Sequence, residues 1–240
     1  MKLERLDKII AARTGYSRRD AKELIRRGRV EVSGKTARTP DAKIDLEADT
    51  LQVEGRELLV KEHLYLMLNK PAGVLSAARD PKQLTVVDLV PEKFRRTGLF
   101  PAGRLDKDTE GFVLITDDGE FAHRILSPKG HIPKTYEARL NGPVTPEMIR
   151  AFEEGVHLED GVLCLPARLR VLEEGPHPLA EVVITQGMYH QVKRMFVSHG
   201  RKVLSLRRTA MGGLRLDPKL APGETREILD KELGAILDKI

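Results

Sequence analysis

Carboxylate side chains are concentrated in the stretch GRLDKDTEGFVLITDDGEFAHRI, residues 103–125, although the chain as a whole carries an excess of Lys and Arg. Acids at this density could hold a metal ion, or one of them could react while the others shape the backbone. Asp117 followed by Glu120 has the spacing of a capping box, which satisfies free N–H groups at a helix start. Asp118 and Gly119 would complete the same turn. These residues therefore have a structural explanation.

Two candidates for chemistry are left in GRLDKDTEG. Asp106 and Asp108 alternate along an extended chain, but Arg104 and Lys107 beside them would compete with a metal cation. No HxxxH or EF-hand spacing occurs in the sequence. We therefore expect no metal, and a single functional carboxylate flanked by Arg104, which would pair with it or guide a phosphate next to it. A magnesium-dependent nuclease is the disfavoured alternative.

The bulk composition is that of a soluble globular protein, with 240 residues of which 40% are hydrophobic and 32% charged. No run of about 18 apolar residues occurs, so we expect no membrane span. The N-terminus lacks the apolar core of a signal peptide, which predicts a cytoplasmic protein. The single cysteine, Cys164, excludes an internal disulfide and a cysteine-rich zinc site.

Positive charge is concentrated at the N-terminus, where residues 1–43 contain 13 Lys and Arg against 6 Asp and Glu. The apolar spacing there predicts two short helices followed by a pair of strands. Ser17 is a natural N-cap for the second helix, with Asp20 as its capping partner. Ser33 and Gly34 form the predicted turn of a hairpin in VEVSGKTA.

The basic side chains of this region are predicted to bind RNA, because few acids are interspersed among them and a helix start beside them could take a phosphate. The predicted contacts are Arg5, Ser17, Arg18, Arg19, Lys22, Arg26, Arg27, Arg29 and Lys35. The order of a helix, SRRDAKELIRRGRVEVSG and a strand closely resembles the RNA-binding module shared with the fourth protein of the small ribosomal subunit. The resemblance implies that the arginine-rich second helix binds folded RNA through its backbone and shape.

Five blocks of the remaining sequence resemble, in the same order, the pseudouridine synthases, specifically the RsuA-like branch that modifies ribosomal RNA. These blocks are LNKPAGVLS, GRLDKDTEGFVLITDDG, PKTYEARL, GMYHQVKRMF and LRRTAMGGLRLD. Members of this family isomerise uridine in RNA by detaching the base and rejoining it through carbon, without cofactor or metal. The resemblance therefore implies an enzyme that needs neither.

The resemblance also implies roles for single residues. Asp106 is the essential carboxylate, Tyr136 is the active-site tyrosine, and Lys193 is the basic residue that pairs with the aspartate, with Arg194 as the alternative partner. Arg104 would fill the gap left by a flipped base or hold the RNA backbone. The carboxylate could attack the base at C6 or the sugar at C1′, or assist loss of the 2′ proton. The sequence leaves these routes open.

Residues near these blocks receive further predictions. Lys70 and Arg194 are predicted RNA contacts. A helix is predicted at residues 188–199, and His190 and Gln191 are interpreted as supports of the loop.

The fold implied is α+β with two domains. A small N-terminal helical and β RNA-binding module takes residues 1–60, and a larger catalytic domain takes 61–240, on a mixed, mainly antiparallel sheet flanked by helices. The boundary is placed near residues 58–62, where an acidic stretch ends and HLYLMLNKPAG begins. We expect the loop at 103–109 to lie in a cleft across that sheet, with Tyr136 and Lys193 converging on it.

The predicted partner is ribosomal RNA or a pre-ribosomal particle, bound by a monomer without cofactors. Because the C-terminus lacks a long basic extension, small-subunit RNA is favoured over large-subunit RNA. The remaining alternative is a non-catalytic RNA-binding ribosome assembly factor, for which the N-terminal module alone would suffice.

Overall fold

The structure, a computed structural model, describes most of the chain. The described ranges are 3–46, 48–58, 61–127 and 130–238. By contacts the chain divides into two compact units: one holds the N-terminal residues to Leu64 together with 90–99, and the other holds the rest. The predicted boundary at 58–62 includes residues 59 and 60, which lie outside the described residues.

Within the described ranges, the first unit has two α-helices and six short strands. They are β1 (Leu3–Arg5), α1 (Leu6–Arg13), α2 (Arg18–Arg26), β2 (Val30–Val32), β3 (Lys35–Thr36), β4 (Lys43–Asp45), β5 (Leu51–Val53) and β6 (Arg56–Leu58). β1 pairs with β4, and the others form an antiparallel sheet in the order β3-β2-β5-β6. A short 3-10 helix lies at Glu92–Phe94.

Local signals in the sequence set the start of α2 and the hairpin. The Ser17 side chain accepts a hydrogen bond from the Asp20 N–H while the Asp20 side chain binds the Ser17 backbone, which confirms the predicted capping box. Ser33 and Gly34 have φ of 48° and 76° and join β2 to β3, which confirms the hairpin turn. Side chains from the helices and strands form one apolar core, including Leu6, Ile9, Ile10, Ala21, Ile25, Val30 and Leu51.

The second unit is larger and contains a nine-stranded sheet. Its elements are β7 (Tyr65–Lys70), β8 (Phe100–Ala102), β9 (Glu110–Thr116), α3 (Gly119–Leu126), β10 (Lys134–Leu140), α4 (Pro146–Glu154), β11 (Arg168–Glu173), β12 (Leu179–Ile184), α5 (Gln191–Val197), β13 (Val203–Met211), β14 (Leu214–Arg215), β15 (Thr225–Glu227) and α6 (Asp230–Leu233). The main order is β11-β12-β10-β13-β9-β7-β15. In the described ranges, none of the helices has the length and apolar character needed to cross a membrane.

The centre of this sheet depends on one glycine. β13 and β9 are parallel while the other paired strands are antiparallel, which confirms the mixed, mainly antiparallel α+β fold. At Gly111, φ is +98° and an added Cβ would lie 2.2 Å from the carbonyl oxygen of Arg208. Only glycine permits this approach. Gly111, the second residue of β9, therefore allows β9 to lie this close to β13.

Two predicted helix starts differ from the structure. The N-cap of α3 is Asp118, whose side chain accepts from the Phe121 N–H and also receives the Tyr65 hydroxyl at 2.5 Å. The predicted capping box of Asp117 with Glu120 is thus wrong by one position, because a tertiary contact selects between two adjacent aspartates. The second case is α5, which begins at Gln191 and not at 188.

Candidate active site

The loop at residues 103–109, called here the acidic loop, is anchored by one buried lysine. Lys70 Nζ lies 3.0 Å from the Pro71 carbonyl oxygen, 3.0 Å from that of Lys107 and 2.7 Å from that of Thr109. The side chain is fully buried, and burial lowers the pKa of Lys70 to about 8. An ammonium group has three donors, and all three are used here. The loop is therefore held through its own backbone.

The prediction that Lys70 contacts RNA is wrong. Its relative exposure is 0%, so its ammonium cannot reach a phosphate. Lys70 ends β7, and both faces of this strand are covered, including the face that its last residue occupies. A lysine before a proline at a strand end looks the same in sequence whether it is exposed or buried.

Removing this anchor should loosen the acidic loop without unfolding the unit. Lys70→Met keeps the apolar stem but leaves the carbonyls of Pro71 and Thr109 without the ammonium donor, and each lost bond costs about 1 kcal/mol. Because the two lost bonds together cost about 2 kcal/mol, we expect backbone amides in the acidic loop to exchange with deuterium about thirtyfold faster. Exposed Lys82 provides the control, Lys82→Met. Equal exchange in both variants would show that Lys70 does not hold the loop.

Two carboxylates of the acidic loop share one ammonium group. Lys193 Nζ lies 3.2 Å from Asp106 Oδ2 and 2.6 Å from Asp108 Oδ1. Burial lowers the pKa of Lys193, but the bonds to Asp108 and Asp106 outweigh it and raise the pKa above the ordinary lysine value. The bond from Lys193 holds the pKa of Asp108 below its usual range. Lys193 thus remains a cation between two carboxyl groups.

This arrangement differs from that of a divalent metal centre. Among the described residues, no three or more His, Cys, Asp or Glu side chains are grouped as metal ligands. The space between the carboxylates of Asp106 and Asp108 is taken by the ammonium of Lys193. The side chain of Asp106 is 25% exposed, so its carboxylate is partly shielded from water but still accessible to a substrate.

The start of α5 positions Lys193. Val192, Met195 and Phe196 are buried on one face of this helix, which leaves Lys193 on another face. His190 is the N-cap, in the left-handed conformation with φ of 48°, and its Nε2 lies 3.5 Å from Asp106 Oδ1. The histidine therefore touches the carboxylate directly, a contact that its interpretation as a loop support missed.

Arg194 is oriented away from the carboxylate pair. Its Nη2 lies 2.5 Å from Asp160 Oδ2, and its Nη1 donates to the Tyr189 carbonyl oxygen at 3.4 Å. Of the two basic residues considered as partners for Asp106, the structure brings Lys193 to it. The role of Arg194 as an RNA contact stays a prediction.

Tyr136 and Arg104 are in different surroundings. Tyr136 is buried on β10, opposite Arg208 of β13, which in turn lies opposite Gly111 of β9. The tyrosine is therefore two strands, about 10 Å, from Gly111, which lies two residues after the end of the acidic loop. Its hydroxyl makes no hydrogen bond with the described residues. Arg104 is exposed and likewise has no polar partner there.

Two buried cations lie beside Tyr136. Lys134, two residues earlier on β10, is 8% exposed, and burial together with the charge of Arg208 lowers its pKa to about 8. Arg208 is 3% exposed and donates through Nε to the Phe112 carbonyl oxygen at 2.8 Å. Its Nη2 is buried with no partner in the described ranges. The sheet beneath the tyrosine is therefore electropositive.

In the first unit, the predicted RNA contacts differ in how far their charges are already compensated. Four of them have exposed side chains that form no ion pair or hydrogen bond within the described part of the chain: Arg19, Arg26, Arg29 and Lys35. Arg27 lies 2.9 Å from Glu23, and the Ser17 side chain is used in the capping box. The four uncompensated cations are the ones free to meet phosphates.

The remaining three predicted contacts surround one buried carboxylate. Asp7 is fully buried and lies 3.1 Å from Arg5, 3.3 Å from Arg18 and 3.9 Å from Lys22. The hydrogen bond from Arg5, helped by that from Arg18, outweighs burial and holds the pKa of Asp7 below its usual range. No pattern in the sequence pointed to this role of Asp7.

The chain matches two family models. Residues 64–198 match the model described as RNA pseudouridylate synthase, and residues 4–50 match the S4 domain. These matches confirm both resemblances found in the sequence.

Full-length relatives agree with the family models. An uncharacterized RNA pseudouridine synthase of Bacillus subtilis, strain 168, is 46% identical over 231 residues, which cover 95% of this chain and 96% of the relative. Ribosomal small subunit pseudouridine synthase A of Escherichia coli, strain K12, is 41% identical over 236 residues, covering 97% and 100%. A crystal structure of a pseudouridylate synthase is 36% identical, with a TM-score of 0.67 and coverage of 97% and 99%.

Proposed function

Because the chain belongs to the RNA pseudouridylate synthase family, we propose that it converts one uridine of small-subunit ribosomal RNA to pseudouridine, with Asp106 as the reacting carboxylate. The observation that carries this proposal is the contact of 3.2 Å between Lys193 Nζ and Asp106 Oδ2 on a loop anchored from beneath. An anchored, charged and partly exposed carboxylate is suited to act on a substrate.

The reaction is an isomerisation, so no atoms are gained or lost overall. The bond between N1 of uracil and C1′ breaks, the base turns, C5 bonds to C1′, and the C5 proton moves to N1. Asp106 can serve by adding to C6 of the base, by adding to C1′ of the sugar, or by assisting loss of the 2′ proton. All three routes need one carboxylate near the glycosidic bond.

The target nucleotide must leave its stack before Asp106 can reach it. Arg104 is exposed and without a polar partner among the described residues, so it is free to fill the vacated position or to bind the backbone. The Tyr136 hydroxyl makes no hydrogen bond with the described residues either, and a tyrosine offers a flat face for uracil and a group for proton transfer. The buried cations Lys134 and Arg208 favour an anionic substrate nearby.

The choice of RNA is supported by the first unit and by one relative. The exposed cations of α2 are suited to phosphates of folded RNA. The relative named for the small ribosomal subunit covers nearly the whole chain. We propose that the protein acts as a cytoplasmic monomer. A non-catalytic assembly factor would have no need for the ion pair between Lys193 and Asp106.

The test is to incubate the protein with unmodified transcripts of small-subunit and large-subunit ribosomal RNA and to map pseudouridine at each position. We expect one modified uridine, in the small-subunit RNA, formed equally with and without a chelator. Pseudouridine in the large-subunit RNA instead would show that the substrate is large-subunit and not small-subunit RNA. No pseudouridine in either RNA, or in a pre-ribosomal particle, would contradict the proposed function.

A further inference from the structure

Tyr189 is unusually exposed for an aromatic side chain. Its relative exposure is 76%, and the next most exposed large hydrophobic side chain in the described ranges is Leu163 at 55%. The chain is poor in aromatic residues, with four Tyr, six Phe and no Trp. Large exposed aromatic surface is unfavourable in water unless something covers it in use.

The exposed ring is part of a stack that leads to the reacting carboxylate. The rings of Tyr189 and His190 are 3.8 Å apart between centroids and inclined by 19°. His190 Nε2 is in turn 3.5 Å from Asp106 Oδ1. Because His190 covers one face of the tyrosine, the other face is the one open to solvent. The open face therefore lies one residue away from the site of chemistry.

The segment carrying this stack is held in place. The Gln191 side chain accepts from the Met188 N–H at 3.1 Å, which closes the turn before α5. Arg194 donates to the Tyr189 carbonyl oxygen at 3.4 Å and is itself paired with Asp160. His190 keeps a left-handed backbone, which non-glycine residues rarely adopt without such support. The ring is therefore presented with little conformational freedom to lose on binding.

We infer that the open face of Tyr189 is a stacking platform for an unpaired nucleobase of the substrate RNA, next in sequence to the target uridine. This inference rests on the proposed function of the same site. When the target nucleotide leaves the helix, its neighbour loses a stacking partner, and an aromatic ring can replace it. Every base has a π-face and can stack on the ring. The platform therefore positions the RNA and increases its affinity, but it does not select the sequence.

A cavity beside the stack is suited to the backbone of the same RNA segment. It has a volume of about 210 Å³ and is lined by Glu159, His190, Lys193, Arg194, Val197 and Ser198. His190, Lys193 and Arg194 already face carboxylates, but an ammonium has three N–H groups and a guanidinium has five. Lys193 and Arg194 therefore keep N–H groups that can donate to a phosphate. A nucleobase on the ring with its phosphate towards these donors matches the pairing of aromatic surface with positive charge in single-strand binding sites. An apolar side chain of a protein partner would have no use for these donors.

The absence of tryptophan provides a direct reporter. In Tyr189→Trp the new indole is the only tryptophan in the chain, and stacking against a base quenches its emission. We expect quenching on titration with a stem-loop containing the target uridine. Replacing one flanking nucleotide by an abasic residue should remove the quenching, at one position only. The control is Leu172→Trp on β11, a side chain with 38% exposure, where we expect no quenching.

Kinetics with the same RNAs complete the test. Tyr189→Phe should retain activity because it keeps the face, and Tyr189→Leu should lower kcat/KM about tenfold by losing one base–aromatic contact. On the abasic RNA, the wild type and Tyr189→Leu should be equal. An equal tenfold loss on both RNAs, or indole emission from Tyr189→Trp that no RNA quenches, would overturn the platform. If quenching occurs but the wild-type protein makes no pseudouridine, the proposed function fails and the nucleobase site stands.

Discussion

Asp106→Asn is expected to give a folded protein that binds ribosomal RNA normally and forms pseudouridine at least about a thousandfold more slowly. Asparagine keeps the size of the side chain and can still accept a hydrogen bond from Lys193, but it is neither an anionic nucleophile nor a base. The measurements are single-turnover pseudouridine formation, RNA affinity and the melting temperature. Because the carboxylate is only partly buried, we expect a small change in melting temperature.

The neighbouring acid supplies the matched control. Asp108 binds the same Lys193 ammonium at 2.6 Å, but its side chain is 75% exposed. Asp108→Asn removes a charge of the same kind from the same loop, and we expect a loss of activity within about tenfold. If both variants lost activity equally, the shared ammonium and not the Asp106 carboxylate would be the essential group. Normal activity in Asp106→Asn would remove Asp106 from the reaction.

What the sequence predicted well was local. The capping box of Ser17 with Asp20 and the turn at Ser33 and Gly34 depend on residues within three positions of each other, and both form as predicted. Their energies arise from the chain's own backbone groups, so neighbouring residue types suffice to identify them. The α+β fold and the family came from five ordered blocks, not from any single pattern.

What the sequence could not show depends on tertiary contacts. Lys70 was misplaced because its burial is decided by the strands beside β7. The N-cap of α3 is Asp118 and not the predicted Asp117, because Tyr65 of β7 donates its hydroxyl to the Asp118 side chain. The contacts of Lys193 and His190 with Asp106 join residues that are far apart in the chain. The family resemblance predicted the contact of Lys193, and nothing in the sequence predicted the contact of His190. The exposure of the Tyr189 ring could not be predicted from the sequence, because a single tyrosine forms no periodic pattern.

Removing the uncompensated charges of α2 and the turn after it should cause the largest loss of RNA affinity. Arg19, Arg26 and Arg29 are exposed and have no ion pair among the described residues, so each is free to displace a counterion from a phosphate. Replacing all three by Gln keeps good helix formers in α2. We expect the affinity for ribosomal RNA to fall at least tenfold at low salt, with the salt dependence of binding reduced by about one unit of slope per residue.

The control for this triple variant is Arg27→Gln, in the same basic cluster. Arg27 already lies 2.9 Å from Glu23, so part of its charge is compensated before RNA arrives, and its removal should change affinity and salt slope less than any one of the three. Saturating RNA separates binding from chemistry: the triple variant should then form pseudouridine at the wild-type rate, because Asp106 and Lys193 are untouched. Unchanged affinity and slope in the triple variant would mean that α2 is not the main RNA contact. A slow rate at saturation would mean that these arginines also orient the RNA for reaction.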